Sequence, residues 1–300
     1  MAQGISIGAA QHIDVLKSKL NLEFRLLEGD GIDIKLEEKP NGNYTYLNCY
    51  VEEPCNSAFS QEDFKAIFNH YVADTISELI LGDWERYFIK KNILEEYYYF
   101  DEEERNTIYK YALKFTHNNC DDTNGDNFYK LRKKTRIVNK LLDYLNQNDR
   151  INIDGFVKFR LKDYIRELNE AVEKAVDEFL VEREYKEFIQ LLKYFVEIQE
   201  PRLELVHIIV QPRGVFKLLD DQHKVINSEY LDGFIVDLID SEINYEDLLI
   251  SALISIAPKK IIFHNNLDYN VATTLETIKN VFTGNVQECK GCELCSPNKQ

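Results

Sequence analysis

Residues 154–195, DGFVKFRLKDYIRELNEAVEKAVDEFLVEREYKEFIQLLKYF, carry the longest periodic signal in the chain. Leu161, Ile165, Leu168, Val172, Ala175 and Phe179 recur at alternating steps of four and three, the interval that lines one face of an α-helix. Tyr185, Phe188, Leu192 and Phe195 prolong the series, and the Glu, Lys and Arg residues between them face away. The spacing predicts a long amphipathic helix after Asp154. Its stripe must be covered, and with other helical segments nearby an intramolecular bundle answers that better than a coiled-coil dimer.

The surroundings support a helical middle. Pro54 and Pro201 bracket 146 residues without proline, interrupted only by Gly82, Gly125 and Gly155. Proline removes a backbone donor and breaks helix interiors, so its absence leaves this span free to be helical. Phe64, Ile67, Phe68, Tyr71, Leu79 and Ile80 share a helical face after Ser60, a good N-cap. A further helix should begin at Asp101, where Glu104 three residues on completes a capping box. The acidic run 101–104 then complements the positive end of the helix dipole, which is a better reading than a metal site.

Outside the middle the period changes. GISIG near the start reads as a strand, 13–27 as a helix, and GIDIKLEE with NYTYLNCYVEE as a hairpin turning at Lys39-Pro40-Asn41-Gly42. After Pro201, LELVHIIVQ and GVFKLLD flank Gln211-Pro212-Arg213 as a second hairpin, with 224–227 as a third strand. Residues 245–256 read as a helix, 260–264 as a strand, 271–282 as a helix and 285–288 as a last strand. The chain is therefore expected to be α+β: a largely helical middle with β-containing ends that could share one mixed sheet, closing on a βαβ-like unit. The segments are an N-terminal α/β part at 1–54, the helical section at 55–200, a C-terminal α/β part at 201–288 and a cysteine-rich tail at 289–300.

That tail holds the sharpest chemistry. Cys289-Lys290-Gly291-Cys292-Glu293-Leu294-Cys295 is two overlapping CxxC steps, a spacing that lets several thiolates face one ion. It matches the first three positions of a ferredoxin run, but Ser296-Pro297 stands where the fourth cysteine would come. Tetrahedral zinc needs four donors. If 260–264 and 285–288 are adjacent parallel strands, their C-terminal ends lie together and His264 supplies the fourth. Zinc on Cys289, Cys292, Cys295 and His264 leads, with an iron–sulfur centre, thiol–disulfide exchange and unliganded thiols as alternatives.

Other features carry less. Cys49 and Cys55 fit core packing. Asp122, Asn124 and Asp126 mimic the start of a calcium loop, but Asn127 and Lys133 stand where its glycine and bidentate glutamate belong. The basic stretch Lys130–Arg136 reads as a solvated helix face. Arg160, Arg202, Arg213, Asp220, Asp221, Asp232 and Asp237 could line a cleft but are most simply surface and turn residues. His207, inside an apolar strand pattern, reads as a satisfied core histidine.

Composition narrows the class. The 300 residues are 44% hydrophobic and 29% charged, with a formal charge of −16. No run is long enough to span a membrane, and the overall charge opposes binding to nucleic acid. Residues 101–150 sum to +1 and residues 201–250 to −6, so any basic patch is local. The N-terminus, MAQGISIGAAQHID, lacks the basic and apolar regions of a signal peptide, which predicts a cytosolic protein whose cysteines stay reduced. Phosphate-loop, zincin, serine-hydrolase and dinucleotide motifs are all missing.

Three blocks together resemble the YtxC-like sporulation proteins of endospore-forming bacteria: GFVKFRLKDY at 155–164, AVDEFLVEREYKEFIQLLKYFVEIQEPRLELVHII at 175–209, and the cysteine-rich end. The resemblance spans essentially the whole chain and is most specific in the long helical block. It implies a sporulation setting and transfers no catalytic residue, substrate or cofactor. The reading that combines both lines is a noncatalytic cytosolic factor that binds an unknown protein partner and carries a metal-binding tail. Its rivals are an enzyme or redox protein using the same cysteines and an acidic scaffold whose cysteine tail is incidental.

Overall fold

The computed structural model describes residues 3–29, 33–52, 61–117, 125–211, 216–226, 245–264 and 271–295. The chain divides into two units, Met1–Leu180 and Val181–Gln300. Among the described residues each has its own sheet and its own apolar core.

In the first unit, strand β1 (Gln3–Ala9) turns Ile5, Ile7 and Ala9 into the core at the period of two that a strand imposes. Helix α1 (Ile13–Gly29) buries Leu16, Leu20, Phe24 and Leu27 at steps of four, four and three. Strands β2 (Asp33–Asn41) and β3 (Tyr44–Glu52) form the expected hairpin, with Asn41 paired to Tyr44. Gly42 takes φ +61° at the first turn position, the backbone sign a tight type II′ reversal requires. The sheet order is β2-β3-β1-β4, where β4 is only Arg150–Asn152 and runs parallel to β1. Gly8 lies under Tyr46: a Cβ there would sit 2.4 Å from that ring. The Arg150 guanidinium stacks on the same ring at 4.3 Å.

The helical middle is confirmed. Helix α2 (Gln61–Leu79) buries Phe68, Val72, Ile76 and Leu79, then passes through a π-helical turn at Ile80–Trp84 into α3 (Glu85–Glu96). Helix α4 (Glu102–His117) begins at the predicted capping box: Glu104 N–H donates to Asp101 Oδ1 at 2.8 Å and Asp101 N–H to Glu104 Oε2 at 2.9 Å. Helix α5 (Gly125–Leu145) follows.

The single helix expected after Asp154 is two, α6 (Ile153–Arg160) and α7 (Lys162–Ile198). Asn152 caps α6 through its side chain, accepting from Gly155 N–H at 2.8 Å. Leu161 leaves the helical region (φ −107°, ψ 38°) yet stays buried, so the apolar spacing continues across a break it does not reveal. The Arg160 carbonyl beside that break accepts from Lys140 Nζ at 3.2 Å. From Leu161 to Val176 the predicted stripe is buried in the first core. Beyond Val181 the stripe is covered only at Leu192, beside which Ile189 is also buried, whereas Tyr185, Phe188 and Phe195 are exposed. The second core thus takes a face shifted from the predicted one towards Ile189.

In the second unit, β5 (Leu205–Val210) and β6 (Phe216–Leu219) pair antiparallel as expected. The predicted third strand is a single bridge, Leu219 to Val225; Asn227 lies outside the described residues. Helix α8 (Tyr245–Ile256) leads to β7 (Lys260–His264), α9 (Ala272–Val281) and β8 (Val286–Glu288). The sheet order is β6-β5-β7-β8, with β5, β7 and β8 parallel. The chain is therefore α+β with a helical middle and a C-terminal βαβ unit. The one mixed sheet that the sequence allowed is instead two, β2-β3-β1-β4 and β6-β5-β7-β8.

Candidate metal centre

Parallel pairing fixes where the tail begins. Ile261, Ile262 and Phe263 of β7 are in register with Val286, Gln287 and Glu288 of β8. One further bond, Cys289 N–H to the Phe263 carbonyl at 2.9 Å, extends the ladder and brings Cys289 level with the end of β7, where His264 is next. Gly291 then takes φ +119°, a conformation closed to side-chain-bearing residues, and its N–H turns back to Cys289 Sγ at 3.4 Å. A 3₁₀ turn at Glu293–Cys295, with Cys295 N–H bonded to the Cys292 carbonyl at 3.0 Å, returns the last thiol to the same place.

The outcome is a Cys3His cluster. One donor atom from each of His264, Cys289, Cys292 and Cys295 lies within 4.8 Å of the other three. His264 Nδ1 is 3.3 Å from Cys295 Sγ and 3.4 Å from Cys292 Sγ, and the latter two sulfurs are 3.7 Å apart. A tetrahedral ion bound about 2.3 Å from sulfur and about 2.0 Å from nitrogen demands edges of about 3.8 Å between sulfurs and about 3.5 Å between sulfur and nitrogen. The three separations among His264, Cys292 and Cys295 match a single ion, and the Cys289 donor lies within 4.8 Å of each of them.

The electrostatics ask for a cation. Desolvation pushes the Cys295 thiol up to about 11, and the neighbouring Cys289 and Cys292 sulfurs add to the rise. At Cys292 desolvation also opposes ionisation, but hydrogen bonds from the Cys289 thiol and from the Cys295 and Leu294 backbone outweigh it and leave this thiol below its usual value. Thiolates this close repel one another unless a positive ion sits between them. His264 is 2% exposed, and burial followed by repulsion from His207 and His223 lowers its pKa, favouring the neutral imidazole that a metal needs.

Behind His264 stand two histidines that no sequence motif united with the tail. His207 of β5, 7% exposed, places Nδ1 at 2.9 Å from His264 Nε2. It is in register with Ile262, two residues before His264, so both imidazoles leave the same face of the sheet. The His223 ring packs edge-on against His207, with centroids 5.0 Å apart. His223 takes φ +61° in a turn that Asp220 holds, its Oδ1 accepting from Gln222 N–H at 2.9 Å and Lys224 N–H at 2.8 Å. The legible signal was a histidine in each of two expected strands; their pairing across 57 residues was not.

The remaining candidates disperse. Cys49 is buried in the first core, where desolvation pushes its thiol up to about 12. In the basic stretch, Lys133 and Arg136 pair with Glu167, and Lys134 with Asp74 and Glu78, so three of its five basic groups are engaged within the protein, while Lys130 and Arg132 are exposed. Arg160 stacks on Tyr144, and Asp220 closes its own turn. Cys55, Cys120, Asp122, Asn124, Arg213, Asp232 and Asp237, and the Asp126 side chain, lie outside the described residues.

Residues 70–287 match the model of the YtxC-like family. That span contains His207 and His264 and ends just before Cys289. The chain is also similar to a Bacillus subtilis (strain 168) protein named "Uncharacterized protein YtxC", at 30% identity over 199 residues, 65% of this chain and 68% of the relative. No solved structure matches the chain.

Proposed function

The chain belongs to the YtxC-like family, and we propose that it is a noncatalytic, cytosolic, sporulation-associated factor whose C-terminal Cys3His centre holds one zinc ion and docks a protein partner. The observation that carries the metal reading is the gathering of four donor atoms within 4.8 Å at the ends of two parallel strands. Three thiolates and one imidazole satisfy zinc's tetrahedral demand from protein alone, leaving no open position for water or substrate. The role is then structural. Residues Cys289–Cys295 bury little apolar surface, so metal binding supplies the folding free energy that a core would supply elsewhere. The sporulation setting comes from the family resemblance, and the partner's docking face would be the exposed loop around Cys292.

Elemental analysis with visible absorption, on untagged protein purified anaerobically, tests the centre. Near-stoichiometric zinc in a colourless preparation supports the proposal, and protein free of metal under reducing, chelator-free conditions defeats it. The second reading, iron–sulfur or thiol–disulfide chemistry, is favoured by the 3.7 Å approach of the Cys292 and Cys295 sulfurs and the exposure of Cys292. A brown, iron-containing preparation would select the first form and a metal-free protein with a reactive Cys292 the second. Replacing the three cysteines by Ser in an endospore-forming host tests the setting: loss of heat-resistant spores supports it, and unchanged counts argue against it.

A further inference from the structure

We propose that His207 is a positioning residue for the centre, setting the tautomer in which His264 presents its Nδ1 lone pair to the metal. This rests on the zinc reading above. The imidazole of His264 has two nitrogens with different neighbours: Nδ1 faces the Cys292 and Cys295 sulfurs at 3.4 and 3.3 Å, and Nε2 faces His207 Nδ1 at 2.9 Å. A neutral imidazole carries one proton. Metal on Nδ1 therefore puts that proton on Nε2, where it donates to His207 Nδ1, and His207 must keep its own proton on Nε2. The proton count closes with both rings neutral.

Metal-bound histidines commonly anchor their second nitrogen on a carboxylate, a carbonyl or water. Here burial leaves little access for water, since His264 is 2% and His207 7% exposed. Pairing of β5 with β7 holds both Cα positions, and the Asp220 turn braces His223 against the outer ring. Without the acceptor at 207, the Nε2 proton is left unsatisfied whenever Nδ1 is metallated, so the cost falls on the metal-bound form. A histidine in β5 thereby controls an ion that it does not touch.

The test uses the full chain and zinc competition against a chelator of known affinity, with circular dichroism to confirm folding. His207→Leu removes the acceptor, and its affinity is expected to fall about 10- to 100-fold. His207→Asn places Oδ1 where Nδ1 stood and is expected to recover most of that loss. In cadmium-loaded wild type, nitrogen NMR is expected to show metal coupling to His264 Nδ1, a proton on Nε2 and an unprotonated Nδ1 at His207. Metal coupling to His264 Nε2, wild-type affinity in His207→Leu, or an equal loss in the Leu and Asn variants overturns the inference while leaving the centre intact. Wild type that binds no zinc defeats the centre itself, a separate result. Should the Leu variant fail to fold, the tautomer seen in wild type still decides.

Discussion

The Tyr164 hydroxyl lies 2.7 Å from Glu85 Oε2 and 3.4 Å from the Ile80 carbonyl, tying α7 to both ends of the π-helical turn. A π turn shifts the backbone ladder by one residue; here the Glu85 N–H reaches back to Ile80. Tyr164 and Glu85 are both buried, and the 2.7 Å bond between them is the shortest contact at either group, with His117 Nε2 3.8 Å from the other Glu85 oxygen. Burial, then the Glu85 charge, pushes the phenol well above its ordinary value, which keeps it a donor at any ordinary pH. Tyr164→Phe removes the donor and leaves a buried carboxylate underserved, an expected loss of about 1–3 kcal/mol. Trp84, the chain's one tryptophan, is buried in the same turn, so its fluorescence during urea unfolding reports this unit. An unchanged midpoint would show that the bond contributes nothing.

At the start of α4, Asp101→Ala should cost about 1 kcal/mol, because it leaves the Glu104 N–H without its acceptor. Glu104→Ala should cost less, since the Asp101 N–H is exposed enough to find water. The same Trp84 transition measures both, and a larger loss for Glu104 would reverse this ranking.

The capping box shows what kind of structure was readable from the chain. Asp101 and Glu104, the Pro40–Gly42 hairpin and the order strand, helix, strand at 260–288 all depend on neighbours within a few residues or on one short crossover. Because that crossover could be read, so could the meeting of His264 with Cys289. The rest depended on distant partners. Strand β4 has three residues, too few to show a period, and exists through its pairing with Ser6, Ile7 and Gly8. Leu161 breaks a helix without breaking its apolar spacing. The shift of the covered face from Phe188 and Phe195 towards Ile189 reflects packing in a second core whose other members come from strands and helices after Pro201. His207 looked like any core histidine because its partner lies 57 residues away.

Chelation of bound metal should act on the tail and leave the first unit's tryptophan unmoved. The Cys289 N–H bonds to Phe263 and the Cys295 N–H to Cys292, so both amides should exchange faster with solvent once the ion is gone. The emission maximum of Trp84 is expected to stay constant. Hydrogen exchange followed by mass spectrometry reads the first effect; equal exchange at 286–295 with and without zinc would remove the metal's structural role.

Thiol chemistry should separate the cysteines by site. In metal-free, reduced protein, alkylation should reach Cys292 first, since it is exposed and its thiol lies below the usual value once hydrogen bonds outweigh desolvation. The thiolate is the nucleophile, so the Cys292 rate should level off at a lower pH than that of Cys295, whose desolvated thiol is held up to about 11. Cys49, buried and pushed up to about 12, should stay unmodified until the first unit unfolds. Adding zinc should protect Cys289, Cys292 and Cys295 together, because one ion consumes all three sulfurs at once. Peptide mass spectrometry over a pH series gives each rate separately. Protection of only two of the three would mean that the ion leaves one thiol free, and the closed tetrahedron on which the structural role rests would not exist.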